Sequence, residues 1–65
     1  MELIQFDGKQ VKIIDIDGRV HYGLVGDYVY PEDNENGKES IILDRINPKG
    51  IIEFWEEDIA KIEII

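Results

Sequence analysis

Two apolar-rich runs that meet at Asp17-Gly18 form the clearest pattern in the chain. Residues 10–17 and residues 19–30 are rich in Ile, Val and Tyr, which favour pleated sheet. Asp-Gly tolerates the positive φ angles of a tight hairpin turn. The pattern therefore predicts one long β-hairpin.

The first strand of this hairpin lacks a simple alternation of apolar and polar side chains. Val11 and Ile13 fall on one face, whereas Ile14 and Ile16 fall on the other. Either both faces are buried or a bulge shifts the phase of the strand.

The second strand contains two glycines, which are uncommon inside strands and mark bulges, bends or close backbone approaches. A bend at Gly23 accounts for the apolar pattern if Val20 and Tyr22 face inward before it and Val25 faces inward after it. A sheet that bends in this way forms a small barrel.

The rest of the chain predicts three shorter strands and their connections. Residues 31–38 contain turn formers and charges but no apolar side chain, so they form a solvated loop. The further strands are predicted at residues 40–44, 51–56 and 59–65, with a turn at 47–50 and a turn or short 3₁₀ connection at 56–58. Leu3 and Phe6 suit one helical turn, although an irregular lead-in fits residues 1–7 equally well. These elements predict one all-β domain over residues 1–65.

Size and residue types limit what can stabilise this domain. A chain of 65 residues buries only about 60% of the surface that its unfolded form exposes. With no cysteine and one histidine, it has neither disulfides nor a tetrahedral Cys/His zinc site. Self-association is the remaining source of extra stability, unless the core alone suffices.

The charge balance bears on the class of partner. Fifteen acidic and seven basic residues give a formal net charge of −8, which repels phosphate backbones unless the cations lie together on one face. Neither a signal peptide nor an apolar run of about 20 residues is visible, so we expect a cytoplasmic protein without a membrane span.

A continuous motif in the hairpin identifies a family resemblance. Gly8-Lys9-x-Val11-x-Ile13, Asp17-Gly18-Arg19 and Gly23-x-Val25-x-x-Tyr28 together resemble the first motif of the Sm and Sm-like (LSm) RNA-associated ring proteins. The match covers about a third of the chain. It implies a five-stranded SH3-like small barrel with a strongly bent antiparallel sheet. The opening also resembles the carboxy-terminal barrel of the bacterial ribosome maturation factor family.

The chain departs from the Sm-like pattern at the positions that bind RNA in that family. An Asp and an Asn after the motif's aromatic residue, and an Arg-Gly pair between the last two strands, typically bind uridine. Here Val29 occupies the expected Asp position, Asn34 lies a few residues too late, and the acids at 56–58 replace Arg-Gly. The resemblance thus implies the fold without the usual RNA site.

Three functions follow, and none of them requires a cofactor. The first is a binding or scaffolding module that self-associates through its fourth and fifth strands, as Sm-like subunits do. The second is RNA binding through a non-standard site, and the third is docking of the acidic surface onto a basic protein such as a ribosomal protein. The RNA candidates are cations and stacking aromatics: Lys9, Lys12, Arg19, Tyr22, Tyr28 and Tyr30.

The interface candidates are apolar residues that the strand pattern places away from the core. If Ile52 and Phe54 fill the barrel, other apolar side chains of the last two strands point outward. The candidates are Ile51, Trp55, Ile59 and Ile65. The alternative is that the amino-terminal Leu3, Ile4 and Phe6 cover this surface within one subunit.

We expect no enzyme and no metal site. His21 has no second histidine, cysteine or nucleophile beside it in the pattern, so it is interpreted as an ordinary, partly exposed strand residue. The acids from Asp33 to Asp44 match a calcium loop poorly, because Gly37 is at the fifth position instead of the sixth.

Overall fold

The computed structural model describes all 65 residues and contains one five-stranded antiparallel sheet. The strands are β1 (Gln10–Asp15), β2 (Val20–Val29), β3 (Ser40–Arg45), β4 (Gly50–Trp55) and β5 (Ile59–Ile64). Their order across the sheet is β4-β3-β2-β1-β5. The only helical segments are 3₁₀ turns at Leu3–Phe6, Pro31–Asp33 and Glu56–Asp58. The predicted all-β class, the five strands and the 3₁₀ connection at 56–58 are confirmed.

The first strand ends two residues earlier than the sequence predicts. Asp15 Oδ1 accepts hydrogen bonds from the backbone N–H groups of Asp17 and Arg19, each 2.9 Å long. Gly18, at φ +84°, donates its N–H to the Asp15 carbonyl oxygen over 2.9 Å. Because these bonds fold residues 16–19 into the turn, β1 ends at Asp15.

The inward face of β2 is the opposite of the predicted one. His21 pairs with Ile13 of β1 and is buried with it, whereas Val20 and Tyr22 are exposed on the outer face. The prediction that Val20 and Tyr22 face the core is therefore wrong. The same register shows that the interpretation of His21 as a partly exposed residue is wrong, because the His21 side chain lies on the core face of the sheet.

The two glycines of β2 have different roles. A Cβ atom at Gly23 would overlap the backbone carbonyl oxygen of Asp44 in β3, so this position requires glycine. The register between β2 and β3 shifts between Val25 and Asp27, which makes Gly26 the bulge residue. Because of that bulge, Tyr28 packs against the core three residues after Val25. The alternation of inward and outward side chains in β2 therefore shifts at Gly26. At Gly23 the backbone of β3 comes too close to leave room for a side chain.

β1 keeps one phase along its whole length, with alternate side chains directed to the core. Val11 and Ile13 are fully buried, Ile14 is half-buried and Ile16 is exposed. The register with β5 shifts between Ile14 and Asp15, opposite Ala60. The extra residue, Ala60, belongs to β5, so neither explanation from the sequence, burial of both faces or a bulge that shifts the phase of β1, is correct.

The core is built from side chains of all five strands and of the amino-terminal turn. It comprises nine buried apolar residues: Leu3, Phe6, Val11, Ile13, Val25, Ile41, Leu43, Phe54 and Ile59. The amino-terminal turn is fixed by Glu39, whose Oε1 accepts from the Leu3 N–H at 2.6 Å while its Oε2 accepts from the Tyr28 hydroxyl at 3.0 Å. Residues 1–7 therefore contain the helical turn, with Leu3 and Phe6 in the core.

Candidate protein and nucleic-acid interfaces

The two outermost strands of the sheet, β4 and β5, do not pair with each other. Each pairs with one neighbour only, β4 with β3 and β5 with β1. The 3₁₀ turn Glu56–Asp58 joins them directly. The sheet is therefore open, with one unpaired backbone edge on each side of this connection.

The β4 edge carries an exposed isoleucine and a half-buried tryptophan. Ile51 is 74% exposed, the largest value among the exposed apolar side chains of the chain. Trp55 is half-buried, and its indole Nε1 is buried without an acceptor. The backbone N–H of Trp55 donates to Asp58 Oδ2 over 3.1 Å, which closes the carboxyl end of the edge. The free part of the β4 edge thus lies around Ile51 and Glu53.

The β5 edge differs from its predicted form at both ends. Ile59 is 7% exposed and belongs to the core, so the prediction that it faces away from the core is wrong. The bulge opposite Ala60 reverses the phase, which places Ile59 and Ile62 on the same side although they are three residues apart. Ile64 is 55% exposed and Ile65 64% exposed at the other end of the strand. Ile64, which alternation places on the same face as Ile62, is exposed although the residue opposite it in β1, Val11, is fully buried.

The amino-terminal segment leaves the β4 edge uncovered. Leu3 and Phe6 are buried against the core, Ile4 is 47% exposed, and the terminal amine forms an ion pair with Glu56 at 3.0 Å. Because Ile51 stays exposed, the alternative in which residues 3–6 cover this surface is wrong for Ile51.

The RNA candidates divide between separate surfaces. Lys12 and Tyr22 lie opposite each other in the β1–β2 register, on the outer face of the sheet. Lys9 precedes β1, and Arg19 lies exposed in the hairpin turn. The structure thus places one cation directly beside one exposed aromatic ring, without collecting the cations into a patch.

Two of the aromatic RNA candidates belong to a different environment at the end of β2. Tyr28 and Tyr30 form an edge-to-face pair with ring centroids 5.0 Å apart. Burial raises the pKa of the Tyr28 hydroxyl, and its hydrogen bond to the Glu39 carboxylate adds to the increase. Since Tyr28 packs on the core, only Tyr30 of this pair presents an exposed ring.

A buried histidine–carboxylate pair is the polar feature that the sequence reading missed. His21 Nε2 lies 2.8 Å from Asp15 Oδ2, and the His21 ring packs edge-on against Phe54 at a centroid distance of 5.0 Å. The hydrogen bond from His21 lowers the pKa of Asp15, and the N–H groups of Arg19 and Asp17 lower it further against the opposing effect of burial. Counting alternate positions backward from Val25 would have placed His21 on the inner face.

The surface cavities are open and mostly polar. The largest, about 500 Å³, is lined by Pro31, Lys38, Glu39, Glu56 and Glu57. A second, about 450 Å³, places the Arg45 and Lys49 cations beside the Asp44 carboxylate. No group of three or more His, Cys, Asp or Glu side chains is arranged to hold a metal ion.

Comparisons with protein-family models, curated proteins and solved structures gave no match. None of the chain's helical segments has the length and apolar character needed to cross a membrane.

Proposed function

We propose that this chain is a non-enzymatic binding or scaffolding module, similar to the Sm-like proteins, that self-associates by pairing β4 of one copy with β5 of the next. The observation that carries this proposal is the open sheet, in which β4 and β5 are both edge strands. Unpaired edge strands present rows of N–H and C=O groups that can pair with another chain. The cytoplasmic location stays a prediction from the sequence.

The composition of the β4 edge supports this proposal. Edge strands that avoid pairing commonly carry lysine or proline, or are covered by other segments. The β4 sequence, Gly50–Trp55, contains neither residue type, and its exposed Ile51 has no cover. The β5 edge contributes the exposed Ile64 and Ile65. Pairing would therefore bury apolar surface as well as satisfy backbone groups.

The proposed contact is head-to-tail, because it joins two different edges. Such a heterologous contact gives a ring when the rotation between copies closes and a filament when it does not. Either assembly leaves the outer face of β1 and β2 accessible for a ligand. The module would then present several copies of that face.

Light scattering on a size-exclusion column tests the proposal at micromolar protein. We expect a mass several times the 7.5 kDa of one chain. The variant Ile51→Lys should shift the mass toward the monomer, because pairing would bury the new charge. Val20→Lys is the matched control, since Val20 is exposed on a central strand. A 7.5 kDa species for the unmodified chain would overturn the proposal.

A second candidate function, RNA binding, is favoured by the position of Lys12 directly opposite Tyr22 in the β1–β2 register. A cation beside an exposed aromatic ring can bind a phosphate while a base stacks on the ring. The net charge of −8 opposes it. Titration with oligo(U) and with mixed-sequence RNA at about 50 mM salt tests it, with Tyr22→Ala expected to weaken binding and Val20→Ala to leave it unchanged. Absence of binding at this salt concentration would exclude it.

A further inference from the structure

The backbone of β5 alternates between its bonded side and its free side. The N–H of Ile65 donates to the carbonyl of Gln10 over 3.0 Å, continuing the register that pairs Val11 with Ile64. In an antiparallel ladder, residues that bond to the neighbour alternate with residues whose N–H and C=O point away from it. Consequently the backbone groups of Ile62 and Ile64 point to the free edge.

The same rule gives the free groups of β4. The N–H of Ile46 donates to the carbonyl of Tyr22 over 3.1 Å, so Asp44, two residues earlier, directs its backbone groups to β2. The alternate residues of β3 therefore bond to β4, among them Leu43, which pairs with Ile52. The backbone groups that β4 directs to its free edge are those of the odd-numbered residues.

The backbone N–H of one of these odd-numbered residues already has a hydrogen-bond acceptor. The N–H of Trp55 donates to Asp58 Oδ2 within the same chain. The side chain of Glu53 also accepts from Ser40 through Oε2 at 2.7 Å, but its backbone is free. The outward groups left for another copy are those of Ile51 and Glu53.

We propose that the two copies pair antiparallel with Ile51 of one opposite Ile64 of the other, and Glu53 opposite Ile62. This inference rests on the proposed self-association. Each of these two pairs can exchange both N–H···O bonds, because all four residues direct their backbone groups outward. Opposite residues in a ladder have side chains on one side. The exposed side chains of Ile51 and Ile64 therefore cover each other.

Registers shifted from the proposed one form fewer backbone hydrogen bonds between β4 and β5. If Glu53 lies opposite Ile64, then Ile62 meets Trp55, whose N–H is taken by Asp58. The opposite shift places Glu53 against Ala60, where the register between β5 and β1 breaks. A shift by one residue turns inward-directed groups toward the partner. Only the proposed register pairs both β4 residues whose outward N–H is unoccupied with residues of the regularly paired part of β5.

Disulfide trapping tests this register, because the natural chain has no cysteine. A hydrogen-bonded antiparallel pair has its Cα atoms about 5.5 Å apart, within the range that a disulfide spans. Ile51→Cys mixed with Ile64→Cys should give a disulfide-linked dimer under mild oxidation. The shifted combinations, Ile51→Cys with Ile62→Cys and Glu53→Cys with Ile64→Cys, should give little. Val20→Cys with Ile64→Cys is the background control.

Hydrogen exchange on the unmodified chain provides a measurement that does not depend on any variant. The amides of Ile51, Glu53, Ile62 and Ile64 should be protected at high protein concentration and lose that protection on dilution to the monomer. Amides of the inner strands should stay protected at both concentrations.

The outcomes separate the register from the self-association itself. A monomer by light scattering at every concentration overturns both. An oligomer that traps best in a shifted combination, or in which Ile51→Cys links only to itself, keeps the self-association and overturns the register. An oligomer in which the amides of Ile51, Glu53, Ile62 and Ile64 exchange freely also keeps the self-association and overturns the register.

Discussion

The buried ring of His21 donates a hydrogen bond from Nε2 to Oδ2 of Asp15, 2.8 Å away across the β1–β2 hairpin. A carboxylate only accepts hydrogen bonds, so Nε2 carries the proton in this contact. The other Asp15 oxygen holds the N–H groups of Asp17 and Arg19. One carboxylate thus links the hairpin turn to the buried ring that packs on Phe54.

Stability should therefore fall in acid as Asp15 is protonated. Its folded-state pKa lies below the ordinary value of 3.8, so the contribution is present above about pH 4 and is lost as the pH falls through the depressed pKa. We expect Asp15→Asn to be less stable near neutral pH and to show a smaller acid loss. Urea unfolding across this pH range measures both effects. Asp17→Asn is the control, and an equal acid dependence in the Asp15 variant would contradict the assignment.

Substitution of Gly23 should be costly. In Gly23→Ala the added Cβ meets the backbone carbonyl of Asp44, which no rotamer change can relieve. We expect a loss of about 1–3 kcal/mol in the free energy of unfolding, as for overpacked sites. At Gly26 a Cβ would meet nothing within 4 Å, so Gly26→Ala should stay within about 1 kcal/mol of the parent. Equal losses in chemical denaturation would contradict the close approach.

Removing the charge of Glu39 should change how Tyr28 titrates. In Glu39→Gln we expect the pKa of Tyr28 to move toward 10.0 while staying raised, since burial is the larger cause and remains. The phenolate absorbance during an alkaline titration reports this shift, with Tyr30→Phe used to remove the signal of the adjacent ring.

The raised pKa of Tyr28 also implies alkaline instability. Because the folded state holds the proton more tightly, the stability it contributes is present below about pH 10 and is lost as the pH rises through the folded pKa. Tyr28→Phe should weaken this alkaline loss in urea unfolding. A variant as sensitive to alkali as the parent would show that another group is responsible.

The Ser40 hydroxyl, at the start of β3, should contribute to the stability of the fold. Its hydroxyl is fully buried, donates to Glu53 Oε2 at 2.7 Å and accepts from Asn34 Nδ2 at 3.0 Å. Ser40→Ala leaves these partners partly unsatisfied, and we expect a loss of about 1–3 kcal/mol in denaturant unfolding. The exposed Asn36, which accepts from the Lys38 N–H, is the comparison, and Asn36→Ala should cost less.

Strands, turns and the 3₁₀ connection were predictable because their signals are local. Ile- and Val-rich runs favour extended backbone, and Asp17-Gly18 specifies a turn that glycine alone enters easily. The acids at 56–58 could not lie in a buried ladder, and they form the predicted turn. These preferences depend on each residue and its nearest neighbours in the chain.

The faces of the strands were not predictable in the same way. The sequence determined where the strands lie and that Ile51 and Ile65 are available on the surface. Only the tertiary structure decided that His21 and Ile59 are buried while Tyr22 is exposed. The physical reason is that a bulge, as at Gly26 or Ala60, exists only relative to the neighbouring strand, and one extra residue there moves every later side chain to the other face.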